Sequence, residues 1–251
     1  MKKRVAIITS GLPTGGAELV LVSLLSRLDR RLFEPLVISL RGEGDLGQTI
    51  RDLGVPVLAL ELGLKPSLPS EILRGIFTLR QFDPDVIQGW MYHGNLFSWV
   101  AAPCMKRRPR LLFSIHNALS DWTSERRLTR QIIRLNGLVS GGADRVIYPS
   151  EPSAIQHEAI GYPKDRTQII PNGFDCERFK PDPEDRAKIR SELGFTDQDF
   201  VIGMAARYHP VKDHAILLAA VRDTVDRCPS TRLLLCGPGV DDKNPELQSL
   251  I

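Results

Sequence analysis

SGLPTGGAEL, Ser10 to Leu19, sets Gly11, Gly15 and Gly16 between an apolar run, Val5–Thr9, and a helix-period stretch. Gly15 and Gly16 stand immediately before Ala17 and Glu18 of that stretch. Residues without Cβ let backbone N–H groups close on an anion, and a helix N-terminus adds partial positive charge. A tight turn needs the same glycines for backbone reasons alone. LLFSIHN places His116 and Asn117 just beyond another apolar run. An imidazole there can donate to a sugar hydroxyl or stabilise developing charge, and a loop histidine satisfied by its neighbours fits the pattern equally. QGWMYHGN places His93 and Asn95 after a further strand candidate, where His93 could instead help cap the next helix.

Later in the chain, MAARYHPVKDH puts Arg207 at a strand end and Lys212 at the mouth of the following helix. Two cations beside a helix N-terminus suit a diphosphate, arginine by forked hydrogen bonds and lysine as a point charge. Two solvated surface cations give the same pattern. LLLCGPG then places Gly237 and Gly239 after the next strand candidate, where backbone turns sharply or passes close to something. Together these stretches describe two α/β units that present anion-friendly loops, with a ligand cleft expected between them.

The elements that must carry these residues are short apolar runs alternating with helix-period segments. Strands are expected at Arg4–Thr9, Pro35–Leu40, Val57–Leu60, Asp85–Gln88, Leu111–Ile115, Arg145–Pro149 and Gln168–Ile170. Helices are expected at Ala17–Leu28, Leu46–Leu53, Ser70–Phe82, Asn95–Ala102, Thr123–Leu138 and Pro152–Ile160. Strands apolar on both faces, alternating with helices, indicate parallel βαβ crossovers and a doubly wound α/β sheet. Ligands of such sheets sit beyond the carboxyl ends of the strands, where the loops above fall. Pro171 to Arg186 is rich in proline and charge and reads as a linker. The pattern restarts with a helix near Ala187–Leu193, a strand at Phe200–Ala205, a helix at Asp213–Arg227 and a strand at Arg232–Cys236. The expected division is an N-terminal Rossmann-like domain over 1–175, a linker and helix over 176–199, and the start of a second such domain over 200–251. Two strands and a helix leave sheet edges without neighbours, so this second domain is expected to be incomplete.

Composition narrows the classes. The 251 residues are 42% hydrophobic and 25% charged, as in a soluble globular protein. A net charge of +3 is too mild to imply nucleic acid. The four cysteines form no C-x-x-C and have no histidine at zinc-finger spacing, so reduced thiols and a cytoplasmic setting are expected. MKKRVAIITSG has the outline of a signal peptide, but its apolar run is short and breaks into glycine, which favours a buried first strand. The glycine loop does not fit G-x-G-x-x-G, and the second strand ends Ser39-Leu40-Arg41 with no carboxylate for a ribose. Both count against a nicotinamide or flavin oxidoreductase.

With these residues in view, the sequence resembles the retaining glycosyltransferases of family four, which have the GT-B fold of two Rossmann-like domains. Pro13 to Glu18 resembles that family's N-terminal glycine loop, and Ser114 to Asn117 the segment with its active-site histidine. Ile169 to Pro181 resembles its interdomain signature, Arg207 and Lys212 its basic pair, and Leu233 to Gly239 its next glycine turn. The resemblance implies transfer of a sugar from a nucleotide-diphosphate donor, such as a UDP- or GDP-sugar, to a carbohydrate or lipid-linked acceptor. It implies retention at the anomeric carbon and no metal or other cofactor, and no Asp-x-Asp pair stands at the carboxyl end of a strand candidate to hold a divalent ion. Arg207 and Lys212 would neutralise the diphosphate and stabilise the leaving group, with Gly237 beside them. Gly15 and Gly16 would approach the phosphates and the acceptor, and His116 the donor sugar. Asn172, with Pro171 and Gly173, would shape the crossover between domains.

Two departures stand in the basic segment: Ala206 and Asp213 occupy positions where the family often has glycine. The family also carries two glutamates eight residues apart, late in the second domain, which hold donor sugar and ribose. The chain ends before that region, so an incomplete donor site and little turnover are expected. A non-catalytic nucleotide or carbohydrate binding module and a sugar-nucleotide epimerase are the alternatives. Finally, Arg126, Arg130 and Arg134 fall on one expected helical face with Arg127 beside them, Leu128, Ile132, Leu135 and Leu138 take other positions, and Lys106, Arg107, Arg108 and Arg110 form a second basic cluster. Basic amphipathic helices dock on anionic lipid, which adds peripheral contact at the inner membrane face to the expectations; a solvated cationic face reads the same way.

Overall fold

The run Val5 to Ile8 has no polar residue to turn toward water, so its strand must be covered on both faces. In the computed structural model, which describes residues 1–63, 68–119, 122 and 127–251, this strand is β1 (Lys3–Thr9). It lies inside a seven-stranded sheet. The chain continues through α1 (Gly16–Arg27), β2 (Phe33–Ser39), α2 (Gly47–Asp52), β3 (Val57–Ala59) and α3 (Leu68–Phe82). Then come β4 (Val86–Trp90), α4 (Met91–Ala101), β5 (Arg110–Ser114), α5 (Arg127–Val139), β6 (Arg145–Tyr148), α6 (Glu151–Glu158) and β7 (Thr167–Ile169). The strand order is β3-β2-β1-β4-β5-β6-β7 and every neighbouring pair is parallel.

Alternate residues of β1 feed two cores. Ala6 and Ile8 join Leu79, Ile87, Phe113 and Ile133 on one face. Ile7 joins Leu21, Leu25, Ile50 and Trp90 on the other. At the amino ends of the strands, charge does the fastening. Arg4 and Arg107 converge on Asp83 at 2.8 and 3.0 Å, and Arg110 pairs with Asp144 at 2.8 Å. Two members of the basic cluster at 106–110 are therefore committed to ion pairs.

The strand order reverses between β1 and β4, and such a switch point opens a crevice at the carboxyl ends. Glycine makes this crossing feasible. A Cβ on Gly94 would lie 2.0 Å from the Ile8 carbonyl oxygen, so α4 passes over the end of β1 with no room to spare. A Cβ on Gly89 would lie 2.4 Å from the Asn95 Cα. Between them Met91 takes a left-handed φ of 65°, which turns strand directly into helix.

That turn corrects one expectation. The helix begins at Met91 rather than Asn95, so His93 sits exposed in its first turn and does not cap it. A second correction concerns the stretch read as a linker. The helix α7 (Pro183–Glu192) starts inside it, because the Asp182 carboxylate accepts from the Glu184 and Asp185 N–H groups and Pro183 fits the first helical turn. The expected helix from Thr123 is described from Arg127 onward, and Arg126 lies outside the described residues.

The chain divides into two units, Met1–Phe174 with the sheet above, and Asp175–Ile251. The second holds α7, β8 (Phe200–Ala205), α8 (His214–Arg227), β9 (Thr231–Cys236) and α9 (Pro245–Gln248). Its strands pair in parallel from Phe200 opposite Thr231 to Ala205 opposite Cys236. Val221 and Leu247 are buried there. Among the described residues of the chain, no helix is long and apolar enough to cross a membrane.

The glycine argument makes a prediction. In a helix interior alanine is favoured over glycine by about 1 kcal/mol, while overpacking costs about 1–3 kcal/mol. At Gly94 the obstacle is backbone, so the clash should win and Gly94→Ala should lower the urea midpoint. Gly16→Ala, whose Cβ meets nothing within 4 Å, should leave the midpoint unchanged or raise it. Equal midpoints for the two variants would contradict this account of the crossing.

Candidate functional site

In the first unit the glycine loop follows β1 directly. Gly15 is the N-cap residue of α1 and has extended backbone. No side chain caps this helix, in contrast to α6, α7, α8 and α9, capped by Ser150, Asp182, Asp213 and Asn244. Helices α2 and α4 also lack a capping side chain; with glycine at the N-cap, the first-turn N–H groups of α1 carry the positive end of the helix dipole beside Glu18. A Cβ on Gly16 would be unopposed, and one on Gly15 would meet only the end of the flexible Glu18 side chain. Packing does not require these two glycines. The loop is held from the side by the segment after β2. The Asp45 carboxylate accepts from the Thr14 N–H and hydroxyl at 3.1 and 3.2 Å, and the Leu46 N–H donates to the Leu12 carbonyl at 2.9 Å.

His116 stands two residues past β5, with its ring stacked on the Trp90 indole at a centroid distance of 4.1 Å. Neither of its ring nitrogens makes a hydrogen bond of good geometry, although the Asn172 side chain faces the ring. Burial pulls the His116 pKa from 6.5 to about 4, against a smaller upward pull from Asn172, so the ring is neutral at pH 7. His157 shows what a structural histidine in the same unit looks like. It is 0% exposed, its Nδ1 donates to the Ser153 carbonyl at 2.7 Å and its Nε2 accepts from the Tyr92 hydroxyl at 2.8 Å. His116 makes no such pair of hydrogen bonds, and Asn172 is the side chain that faces its ring.

Asn117 contributes its carbonyl to the Ser153 hydroxyl at 2.6 Å. A cavity of about 400 Å³ opens beside these residues, lined by Gln88, Trp90, Ser114, His116, Asn172 and the α1 residue Leu24. The structure thus brings Asn172 and His116 to one cavity, with Trp90 joining them to α1. His93 does not line it.

In the second unit, Arg207 and Lys212 are exposed and, among the described residues, neither is in an ion pair. Gly237 explains how the turns at the strand ends meet. Its φ is +145°, and a Cβ there would lie 2.2 Å from the Ala206 carbonyl oxygen and 2.9 Å from the Arg207 nitrogen. The turn after β9 is thereby pressed against the backbone that carries Arg207, and the Tyr208 N–H donates to the Pro238 carbonyl at 2.8 Å. Asp213 adopts a left-handed φ of 51°, the conformation that glycine supplies most easily, and its side chain caps α8 by accepting from the Ile216 N–H at 3.2 Å. The departure from glycine at this position is therefore met by a residue type that tolerates the same backbone. Among the described residues no group of three or more His, Cys, Asp or Glu is placed to hold a metal ion.

With the geometry established, comparison with known proteins places the chain. The model of Glycosyltransferase Family 4 matches residues 14–178, and the chain belongs to that family. It is 26% identical over 257 aligned residues to a D-inositol 3-phosphate glycosyltransferase of Streptomyces griseus subsp. griseus, covering 90% of this chain and 54% of that protein. It is 29% identical over 130 residues to a GDP-mannose-dependent alpha-(1-6)-phosphatidylinositol monomannoside mannosyltransferase of Mycolicibacterium smegmatis, covering 52% of this chain and 33% of that one. The fold matches that of Anabaena Alr3699/HepE, solved in complex with UDP, with a TM-score of 0.80 and 25% identity over 100% of this chain and 65% of that chain. The architecture is of the GT-B type. The chain spans about half, or less, of the length of these two curated relatives.

The histidines give a pH prediction. Burial holds the pKa values of both His116 and His157 below their unfolded values, so the unfolded chain binds these protons first. Their contribution to stability is complete above about pH 6.5 and is lost as pH falls, through about 4 for His116. His116→Asn should flatten the fall of thermal midpoint over this window and leave the His157 share. An unchanged slope would show that the His116 ring is not desolvated.

Proposed function

We propose that the chain acts in transfer of a sugar from a nucleotide-diphosphate donor, a UDP- or GDP-sugar, to a carbohydrate or lipid-linked acceptor, with retention at the anomeric carbon. The bond between the anomeric carbon and the diphosphate breaks, and a bond to an acceptor oxygen forms on the same face. Negative charge grows on the departing diphosphate. Arg207 and Lys212 take that charge, helped by the N-terminus of α8 and by backbone at Gly237. Gly15 and Gly16 present uncapped N–H groups to phosphate or acceptor. His116, neutral, contacts the donor sugar as a hydrogen-bond donor or acceptor, while Asn172, whose side chain faces the ring, shapes the crossover and Asn117 stands next to it. No metal or other cofactor is assigned to the reaction.

The observation that carries this reading is the unpartnered start of α1: glycines that packing does not require, at an uncapped helix end, in a chain of a glycosyltransferase family. A solvated turn has no need of Gly16. The relatives named above include one that is GDP-mannose-dependent and one solved with UDP, which supports a nucleotide-sugar donor. Membrane contact at the inner face is part of the proposal. On α5, Arg127 and Arg134 share the exposed surface with Leu128 and Leu138, which are 68% and 83% exposed, an arrangement suited to an anionic interface.

The direct test is donor affinity. A hydrogen bond to a charged group is worth about 1.5–3 kcal/mol, roughly a tenfold to hundredfold change in Kd. Arg207→Ala and Lys212→Ala should each weaken binding of UDP-glucose or GDP-mannose by about that factor in calorimetric titration. Lys188→Ala, on the exposed face of α7, should not. Unchanged affinity in both basic-pair variants would remove their assignment to the diphosphate.

A further inference from the structure

Trp90 ends β4 and is 2% exposed, yet it is not a simple core residue. One face of its indole carries the His116 ring, with centroids 4.1 Å apart and planes 23° from parallel. Its Nε1–H donates to the Ala17 carbonyl of α1 at 3.0 Å, one residue past Gly16. The next residue grips the same histidine from its backbone, since Met91 Sδ accepts from the His116 N–H at 3.3 Å. The elbow that presents both residues is fixed by the close packing at Gly89 and Gly94 and by the left-handed Met91. The imidazole makes no hydrogen bond of good geometry, so the stack is the contact that sets its plane.

We propose that Trp90 is a positioning residue: through one rigid indole it sets the plane of the His116 ring and the place of the first turn of α1, so that imidazole and glycine N-terminus keep a fixed relation. Tryptophan alone among the aromatic residues supplies both a stacking face and an N–H at that reach. Phenylalanine keeps the face and loses the N–H; leucine loses both. The functional meaning rests on the reading of His116 and the glycine loop given above, whereas the coupling is a property of the folded chain.

The experiment is NMR on the whole chain with labelled histidine and backbone, comparing Trp90→Phe and Trp90→Leu. Trp90→Phe should shift the amide signals of Gly15 to Leu19 and speed their exchange, and leave the His116 ring signals near their original positions. Trp90→Leu should move both sets, with the His116 ring protons losing the upfield ring-current shift of the stacked indole. A merely structural tryptophan would lower stability in both variants without this separation. Two results would overturn the proposal: unmoved Gly15–Leu19 amides in Trp90→Phe, or unmoved His116 ring signals in Trp90→Leu with the fold retained. If Trp90→Leu does not fold, the Trp90→Phe spectrum decides alone. Addition of UDP-glucose to the unaltered chain separates the two readings. If Gly15, Gly16 and His116 do not respond while the variants behave as expected, the donor assignment fails and the coupling stands.

Discussion

Helix α4 can cross the end of β1 only because residue 94 has no side chain, and the geometry of the first unit follows from that contact. The Gly94 Cα is pressed toward the Ile8 carbonyl, and β4 pairs in parallel with β1. The strand order reverses there, and the loops after β1, β4 and β5 gather at one edge. Met91 absorbs the backbone cost of the abrupt turn, since a left-handed non-glycine residue costs about 1–3 kcal/mol and persists only where its surroundings fix it. Here the two apolar cores on either side of the sheet do the fixing.

The edge so formed combines the glycine N-terminus of α1 with the neutral His116 ring, and Arg27 of α1 lines the same cavity as that ring. That balance suits a sugar attached to phosphate. The dipole end of α1 attracts charge, and a ring with its pKa near 4 offers hydrogen bonds to hydroxyls without competing for that charge. The second unit has the opposite character. It presents two unpaired cations on turns held together by Gly237, with little apolar surface fully buried beneath them. The difference is in keeping with the proposal that Arg207 and Lys212 meet the donor diphosphate and His116 the donor sugar.

Much of this was legible in the residues. The seven strands of the sheet fall within two residues of the expected positions, because strands covered on both faces are continuous apolar runs. The glycine loop, His116 and the basic pair stood out because they interrupt or directly follow such runs. Three features were not legible. The helix after β4 starts four residues early, since Met91 turns the chain by a conformation that carries no residue-type signal. The helix α7 hides in a charged, proline-rich stretch, although Asp182 followed by Pro183 is a start signal that could have been read. The role of Trp90 carries no sequence signal, because a stack between residues 26 positions apart leaves no trace in spacing.

The central claim is that the loops at the carboxyl ends of these strands form an anion site for a nucleotide diphosphate. The most direct measurement is the electron-density difference of crystals of the chain grown with and without UDP. The account predicts diphosphate density against the Arg207 guanidinium and Lys212 ammonium, beside the backbone of Gly237. Density for UDP at saturating concentration that avoids these residues, or crystals that take up none, would contradict it.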